Sequence, residues 1–455
     1  MTLLNILLGL IGLGIVVFFH ELGHFLAARF VGINVEAFSI GWGNPILKKK
    51  IGNTEYRLGM FPLGGYCKMQ GDSDHNNEAY VNLEKGIAPE KGSYHAASPA
   101  ARMLVCFCGP LFNLLFAVLV FIVIFGIGFT VHTTGNKIIL ASDFDNSRTY
   151  PADIAGLKTG DRIIEIRGKE TNYFHEIRKN IIVNPKKVLP VTVDRNGEIL
   201  HFQITPSLNE NEGSGQIGIL TWKDPVIDSI IEDSAAEKAG LMPGDLIVSA
   251  NGIPIFNSED FRSLRNESII NENTENFVIE YERYGARREA VFSAEEIKGE
   301  LGFSWAIITY RTPRLSVPKA IATGVKESYE TLYTTVTSLR LLFMGINLTK
   351  AVSGPVRITY MIGDTATQGF GQGIGTGFLT IFNFIALISI ALCVMNLLPL
   401  PILDGGMIIL FFIEMIRKKP IPPKAVAAFQ TCGFVIIIGL MLFAIFGDIM
   451  FFATR

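Results

Sequence analysis

Cysteine is scarce and unevenly placed. Cys67, Cys106, Cys108, Cys393 and Cys432 are the five in 455 residues, and none falls between positions 132 and 370. That excludes a disulfide framework for the longest polar stretch of the chain. Charge is scarce too: 18% of residues are charged, with a net of −2, against 49% hydrophobic. This balance excludes a nucleic-acid partner and an ordinary soluble protein. Charge is missing altogether from Met1 to Phe19. The run has no basic n-region and no Ala-x-Ala cleavage site, so it reads as a retained helix rather than a cleaved leader.

Uncharged stretches able to cross a hydrocarbon core of about 30 Å occur four times. They are Met1 to Phe19, the stretch between Arg102 and His132, one ending at Leu403 after a Gly-rich lead-in at Gly369 to Gly377, and Ala425 to Gly447. Lys48, Lys49, Lys50, Arg57, Lys68 and Arg102 separate the first two, and Arg417, Lys418, Lys419 and Lys424 the last two. The positive-inside rule puts both loops in the cytoplasm, with the segment from about 132 to 370 and both termini outside. Cys106 and Cys108 lie two apart on an apolar helix and read as packing residues.

His20-Glu21-Leu22-Gly23-His24 follows the first apolar run. Residues four apart on a helix lie about 40° from one another, so both imidazoles share a face and can grip one tetrahedral Zn²⁺. Glu21 can then act as general base toward a water whose pKa the metal lowers to about 7. Ionisable groups at membrane depth cost about 2.5–3.5 kcal/mol or more, which favours a functional reason for them. A catalytic zinc needs a third protein ligand. Asn396-Leu397-Leu398-Pro399-Leu400-Pro401-Ile402-Leu403-Asp404-Gly405-Gly406 ends the third span, where Pro399 and Pro401 break the helix. Asp404 is the first acid there, and the residues alone leave it as either the missing ligand or the cap of a following helix.

The outside segment repeats. Ala155-Gly156-Leu157-Lys158-Thr159-Gly160-Asp161 aligns with Ala239-Gly240-Leu241-Met242-Pro243-Gly244-Asp245 at an offset of 84 residues. The pattern resembles the signature of PDZ domains of the permuted bacterial type, which take a peptide as an added strand. Ile217-Gly218-Ile219 and Leu301-Gly302-Phe303 resemble the carboxylate-binding loop of each copy. Ile33 to Met69, turning at Gly52-Asn53 and interrupted by Gly41, Gly43 and Pro45, reads as a β-hairpin. Val325, Tyr329, Leu332, Val336 and Leu339 recur at helical spacing, which predicts an amphipathic helix on the membrane surface or against the repeat.

His-Glu-x-x-His in a first span, Asn-x-x-Pro-x-Pro-x-x-Asp-Gly in a later one and PDZ-like copies between them resemble the site-2 protease family of intramembrane metalloproteases. Further matches are Gly41-Trp42-Gly43, Pro62 to Met69, Gly109-Pro110-Leu111-Phe112-Asn113 and Ser353-Gly354-Pro355-Val356. Cys67 and the loose carboxylate loops depart from the pattern. The resemblance implies one Zn²⁺ held by His20, His24 and Asp404, with Glu21 activating water. It implies substrate binding by Asn396, with Asn113 a second candidate, by the Pro399/Pro401 segment and by the hairpin at Gly41 and Gly43.

The expected fold is a polytopic α-helical membrane protein with four transmembrane helices, a membrane-associated β-hairpin and two extracytoplasmic α+β PDZ domains. The segments are 1–32, 33–101 with the hairpin, 102–131, the repeat copies 134–222 and 223–310, a connector 311–350, 374–403, a loop 404–424, and 425–450. The resemblance implies a monomer in a bacterial inner membrane. It would cut single-span membrane proteins within the bilayer: an anti-sigma factor in a stress response, after a site-1 protease has cut first, and remnant signal peptides. The tandem PDZ pair would act as a size filter. The alternative is a membrane-anchored PDZ scaffold without proteolysis. A transporter leaves the histidine motif unexplained, and the membrane halves show no inverted repeat.

Overall fold

The computed structural model describes residues 3–71, 88–145, 147–209, 214–270, 276–342, 354–371 and 373–453. Part of the loop assigned to 33–101, the end of the connector and Ser353 lie outside these residues. The chain divides into two compact units, Met1–Phe129 with Pro313–Arg455, and Thr130–Thr312.

In the first unit, α1 (Leu3–Phe30), α2 (Pro99–Ile127), α3 (Val317–Leu342), α4 (Pro355–Gly371), α5 (Ile374–Asn396), α6 (Asp404–Arg417) and α7 (Pro423–Ala453) are the long helices among the described residues. Of these, α1, α2, α5 and α7 are long and apolar enough to cross a membrane. At 1.5 Å per residue even α5, with 23 residues, reaches about 35 Å. Two cores flank the middle of α1. Val16 packs with Phe116, Ala117, Val120, Ile385 and Ile390, whereas Phe25 and Ala28 pack with Phe38, Val105 and Phe411. The histidine motif falls between them.

The hairpin is more folded than its sequence predicts. β1 (Val35–Ile51) and β2 (Thr54–Met69) pair twice: Phe38 opposes both Cys67 and Tyr56, and Tyr56 also opposes Lys49. Each strand therefore makes two passes, giving the order 47–51, 54–58, 37–40, 65–69, with the last pass at an edge. The glycines that interrupt the hairpin lie where the passes bend.

The connector helix α3 forms where its periodicity predicts; of its apolar stripe, Leu332 packs against a core of this unit, and three residues face outward. Val325, Tyr329 and Val336 are 49–66% exposed, while Ala320 and Ser328 are 2% exposed. Between those two, Gly324 comes so close to Ile122 of α2 that an added Cβ would lie 2.7 Å from its side chain. Small residues at every fourth position let two helices close up. The helix α4 was not anticipated, because Arg357, Asp364 and Gln368 lower its apolarity. Asp448 of α7 caps it, accepting from the amides of Gly354, Val356 and Arg357.

The second unit contains two copies of one arrangement. Sheets in the order 169–170, 162–166, 189–195, 198–204 and 253–254, 246–250, 276–283, 286–293 each carry a short helix, Pro151–Ala155 or Ala235–Lys238, and a longer one, Phe174–Ile182 or Ser258–Ile270. The repeated Asp closes each copy. Asp161 receives Arg195 and the amide of Lys158, and Asp245 receives Arg283 and the amide of Met242. These hydrogen bonds hold both guanidinium pKa values above the usual range. The entering strand Thr130–Thr133 pairs with the leaving strand Ile308–Arg311, so Arg311 falls with this unit and not with the connector.

Candidate metal centre

A helix through residues 20–24 puts His20 and His24 on one face of α1, with their rings edge to face at 4.7 Å. Asp404 arrives from the other end of the sequence through a reversal of the chain. Helix α5 ends at Asn396, and α6 starts at Asp404. Gly405 and Gly406 permit the reversal: an added Cβ would lie 2.3 Å from the Leu397 carbonyl oxygen in the first case and 2.1 Å from that of Leu400 in the second. Ile402 has φ +76°, a left-handed conformation that costs a β-branched residue about 1–3 kcal/mol. That strain sits two residues from the carboxylate it aims.

Asp404 does not cap its own helix. The cap position is Leu403, with no side-chain cap hydrogen bond, and the Asp404 carboxylate faces the imidazoles instead. His20 Nε2 lies 3.1 Å from His24 Nε2 and 3.4 Å from Asp404 Oδ2, while His24 Nε2 lies 3.5 Å from Asp404 Oδ1. Donors about 2.0–2.1 Å from a tetrahedral zinc stand about 3.3 Å from one another. Each separation, taken to one or the other carboxylate oxygen, is close to that spacing, and one ligand atom from each residue lies within 4.8 Å of the others, so this donor set fits a Zn²⁺ with a fourth position open.

Helix α2 supplies the wall behind the histidines. An added Cβ at Gly109 would lie 2.4 Å from His24 Nε2 and 2.9 Å from His20 Cε1, so a side chain there would displace the imidazoles. One turn before, the carbonyl of Val105 accepts from His24 Nδ1 at 2.9 Å. One turn after, the Asn113 amide lies 3.3 Å from His20 Nδ1. Asn113 is fully buried. It lies behind the His20 imidazole, where α1 and α2 pack closely.

The other candidates are spread over both units. Asn396 is at the centre, its amide 3.4 Å from His20 Nε2. Pro401 packs against Gly433 of α7. Glu21 accepts a hydrogen bond from the amide of Cys67, and an added Cβ at Gly65 would lie 3.2 Å from Glu21 Cγ. The edge pass 65–69 of the hairpin thus runs over the candidate base. Gly41 and Gly43 sit at the bend of the sheet, against Phe61. Within the second unit, Ile217 and Leu301 are 3% and 4% exposed core residues, and their carbonyls accept from Ala152 and Ala236. Residues 216–220, including Gly218 and Ile219, border a cleft of about 300 Å³ beside Phe174, Arg178 and Ile181. At the corresponding place in the second copy, after Gly302, Phe303 and Trp305 pack edge to face with each other and with Phe261.

The sequence model of peptidase family M50 matches residues 8–440. The chain belongs to that family. It is 36% identical over 452 residues to a Treponema pallidum protein named as a zinc metalloprotease, covering 99% of both chains. It is 32% identical over 444 residues to another so named from Borreliella burgdorferi, covering 97% of this chain and 96% of the relative. It is also 30% identical over 464 residues to the regulator of sigma E protease of Haemophilus influenzae, covering 97% of both. As a family M50 member this chain is a zinc-dependent metalloendopeptidase of the site-2 protease type and an integral membrane protein.

Proposed function

We propose that this enzyme cuts the transmembrane segments of single-span membrane proteins, at a zinc held by His20, His24 and Asp404. The observation that carries this reading is that these three side chains and Glu21 come together at α1, a helix long and apolar enough to cross a membrane, between two apolar cores. Zinc bound there supplies the Lewis acidity that makes water a nucleophile at neutral pH and polarises a carbonyl. Glu21 takes the proton of the attacking water on its carboxylate and returns it to the leaving amide nitrogen. Asn396 holds the polypeptide beside His20. The edge pass 65–69 offers backbone hydrogen bonds to a segment that has lost its own helical ones, which a substrate needs before its amides can be attacked.

On this proposal the centre lies toward the cytoplasmic face of a bacterial inner membrane and the repeat unit in the periplasm, which the basic loops support through the positive-inside rule. In this reading the two copies are PDZ domains that exclude substrates with bulky outer domains, and an upstream protease makes the first cut. The name of the Haemophilus influenzae relative directs attention to an anti-sigma factor as one substrate, with remnant signal peptides as others. Cleavage of a membrane-embedded reporter, with and without a folded outer domain and with a zinc chelator, tests this. The expected result is chelator-sensitive cleavage of the short reporter alone. Equal cleavage of both would refute the filter, and no cleavage of either would favour a PDZ scaffold.

A further inference from the structure

The partner of His20 inside α2 has a role beyond packing. Val105, Gly109 and Asn113 recur at every fourth position and form one strip of α2 behind the two histidines. The Val105 carbonyl can only accept, so His24 must carry its proton on Nδ1, which leaves Nε2 with a lone pair facing His20 and Asp404. His20 presents the same geometry: its Nε2 faces His24, Asp404 and Asn396, and its Nδ1 faces Asn113 alone among the described residues.

We infer that the side-chain carbonyl of Asn113 accepts a hydrogen bond from His20 Nδ1–H, making Asn113 the positioning residue that fixes the tautomer and ring angle of His20 for zinc. As drawn, the amide presents Nδ2 to His20 Nδ1 at 3.3 Å, while Oδ1 is buried with no hydrogen-bond partner among the described residues. Nothing on the far side of the amide therefore fixes which way it points, and the two ends of an asparagine amide are told apart only by their partners. A ring that gives Nε2 to a metal must hold its proton on Nδ1, and a proton there needs an acceptor. The amide thus turns its oxygen inward. Ser389 of α5 donates to the Asn113 backbone carbonyl at 2.8 Å and ties the same residue to the third apolar helix.

This inference rests on the proposed zinc ligands, and the experiment separates the two. Full-length wild type, Asn113→Asp and Asn113→Leu are purified in detergent, and their zinc affinity is measured by competition with a chelator. The visible spectrum of each is recorded with Co²⁺ in place of zinc. Aspartate keeps an acceptor and has no donor; leucine keeps the volume and has neither. Asn113→Asp should hold zinc as wild type does, with the same Co²⁺ spectrum, and Asn113→Leu should bind about 10–100-fold more weakly with an altered spectrum. Equal affinity in all three proteins would overturn the inference. So would loss of zinc in a folded Asn113→Asp, which is readable even if Asn113→Leu does not fold, because an acceptor would then not suffice. Absence of metal from wild type would instead overturn the ligand assignment itself.

Discussion

Three motif aspartates, Asp161, Asp245 and Asp404, sit beside glycines in this chain, and their surroundings differ in kind. Asp161 and Asp245 are 1% exposed, and each takes an arginine fork and a backbone amide within its own copy of the repeat. Their charge is fully answered by the protein. Asp404 receives neither an arginine nor a cap hydrogen bond, and its oxygens face two imidazole nitrogens at 3.4 and 3.5 Å. A buried acid whose partners are all donors holds a fold together. One whose nearest neighbours are themselves ligand atoms is arranged for a cation that brings them together.

Substitutions break this comparison at different points. Asp404→Ala should lower cleavage to background and remove stoichiometric zinc, measured by metal analysis of the purified protein, while leaving the repeat intact. Glu21→Gln should slow turnover about 10²–10⁴-fold with zinc retained, because it removes a proton acceptor and no ligand; residual wild-type turnover would refute its role. Asp245→Ala should do the reverse. By stranding Arg283 it should destabilise the second copy by about 3–5 kcal/mol, read as faster hydrogen exchange across residues 246–250, with zinc content unchanged. Gly109→Ala should cost about 1–3 kcal/mol in helix packing and weaken zinc binding, since the new methyl meets His24. Ile402→Gly should have the smallest effect, a gain of about 1 kcal/mol in thermal stability as backbone strain is relieved, offset in part by the entropy glycine loses on folding.

Local spacing made some of this legible. His20 and His24 are four apart on a helix, and the repeat declares itself by an offset of 84 residues. The four apolar helices and the break at Pro399 and Pro401 follow from composition. Asp404 was legible only through family resemblance, because Asp-Gly-Gly at the start of a helix is an ordinary cap. Its missing cap hydrogen bond is a fact of the folded chain. The work of α2 was hidden for a related reason. Gly109 and Asn113 meet the histidines across 85 and 93 residues of sequence, and no periodicity reports a contact of that range. The second pairing of the hairpin is a matter of register. An apolar stripe predicts the α3 helix, but it does not report that the small residues Ala320, Gly324 and Ser328 form a side buried within the protein.

X-ray absorption at the zinc edge of the purified, full-length enzyme tests the central claim most directly. The result expected is a first shell of nitrogen and oxygen only, at about 2.0–2.1 Å, with two imidazole signatures and loss of the ordered shell in Asp404→Ala. A sulfur neighbour at about 2.3 Å, from Cys67 or Cys108, or a shell unchanged in Asp404→Ala, would contradict it.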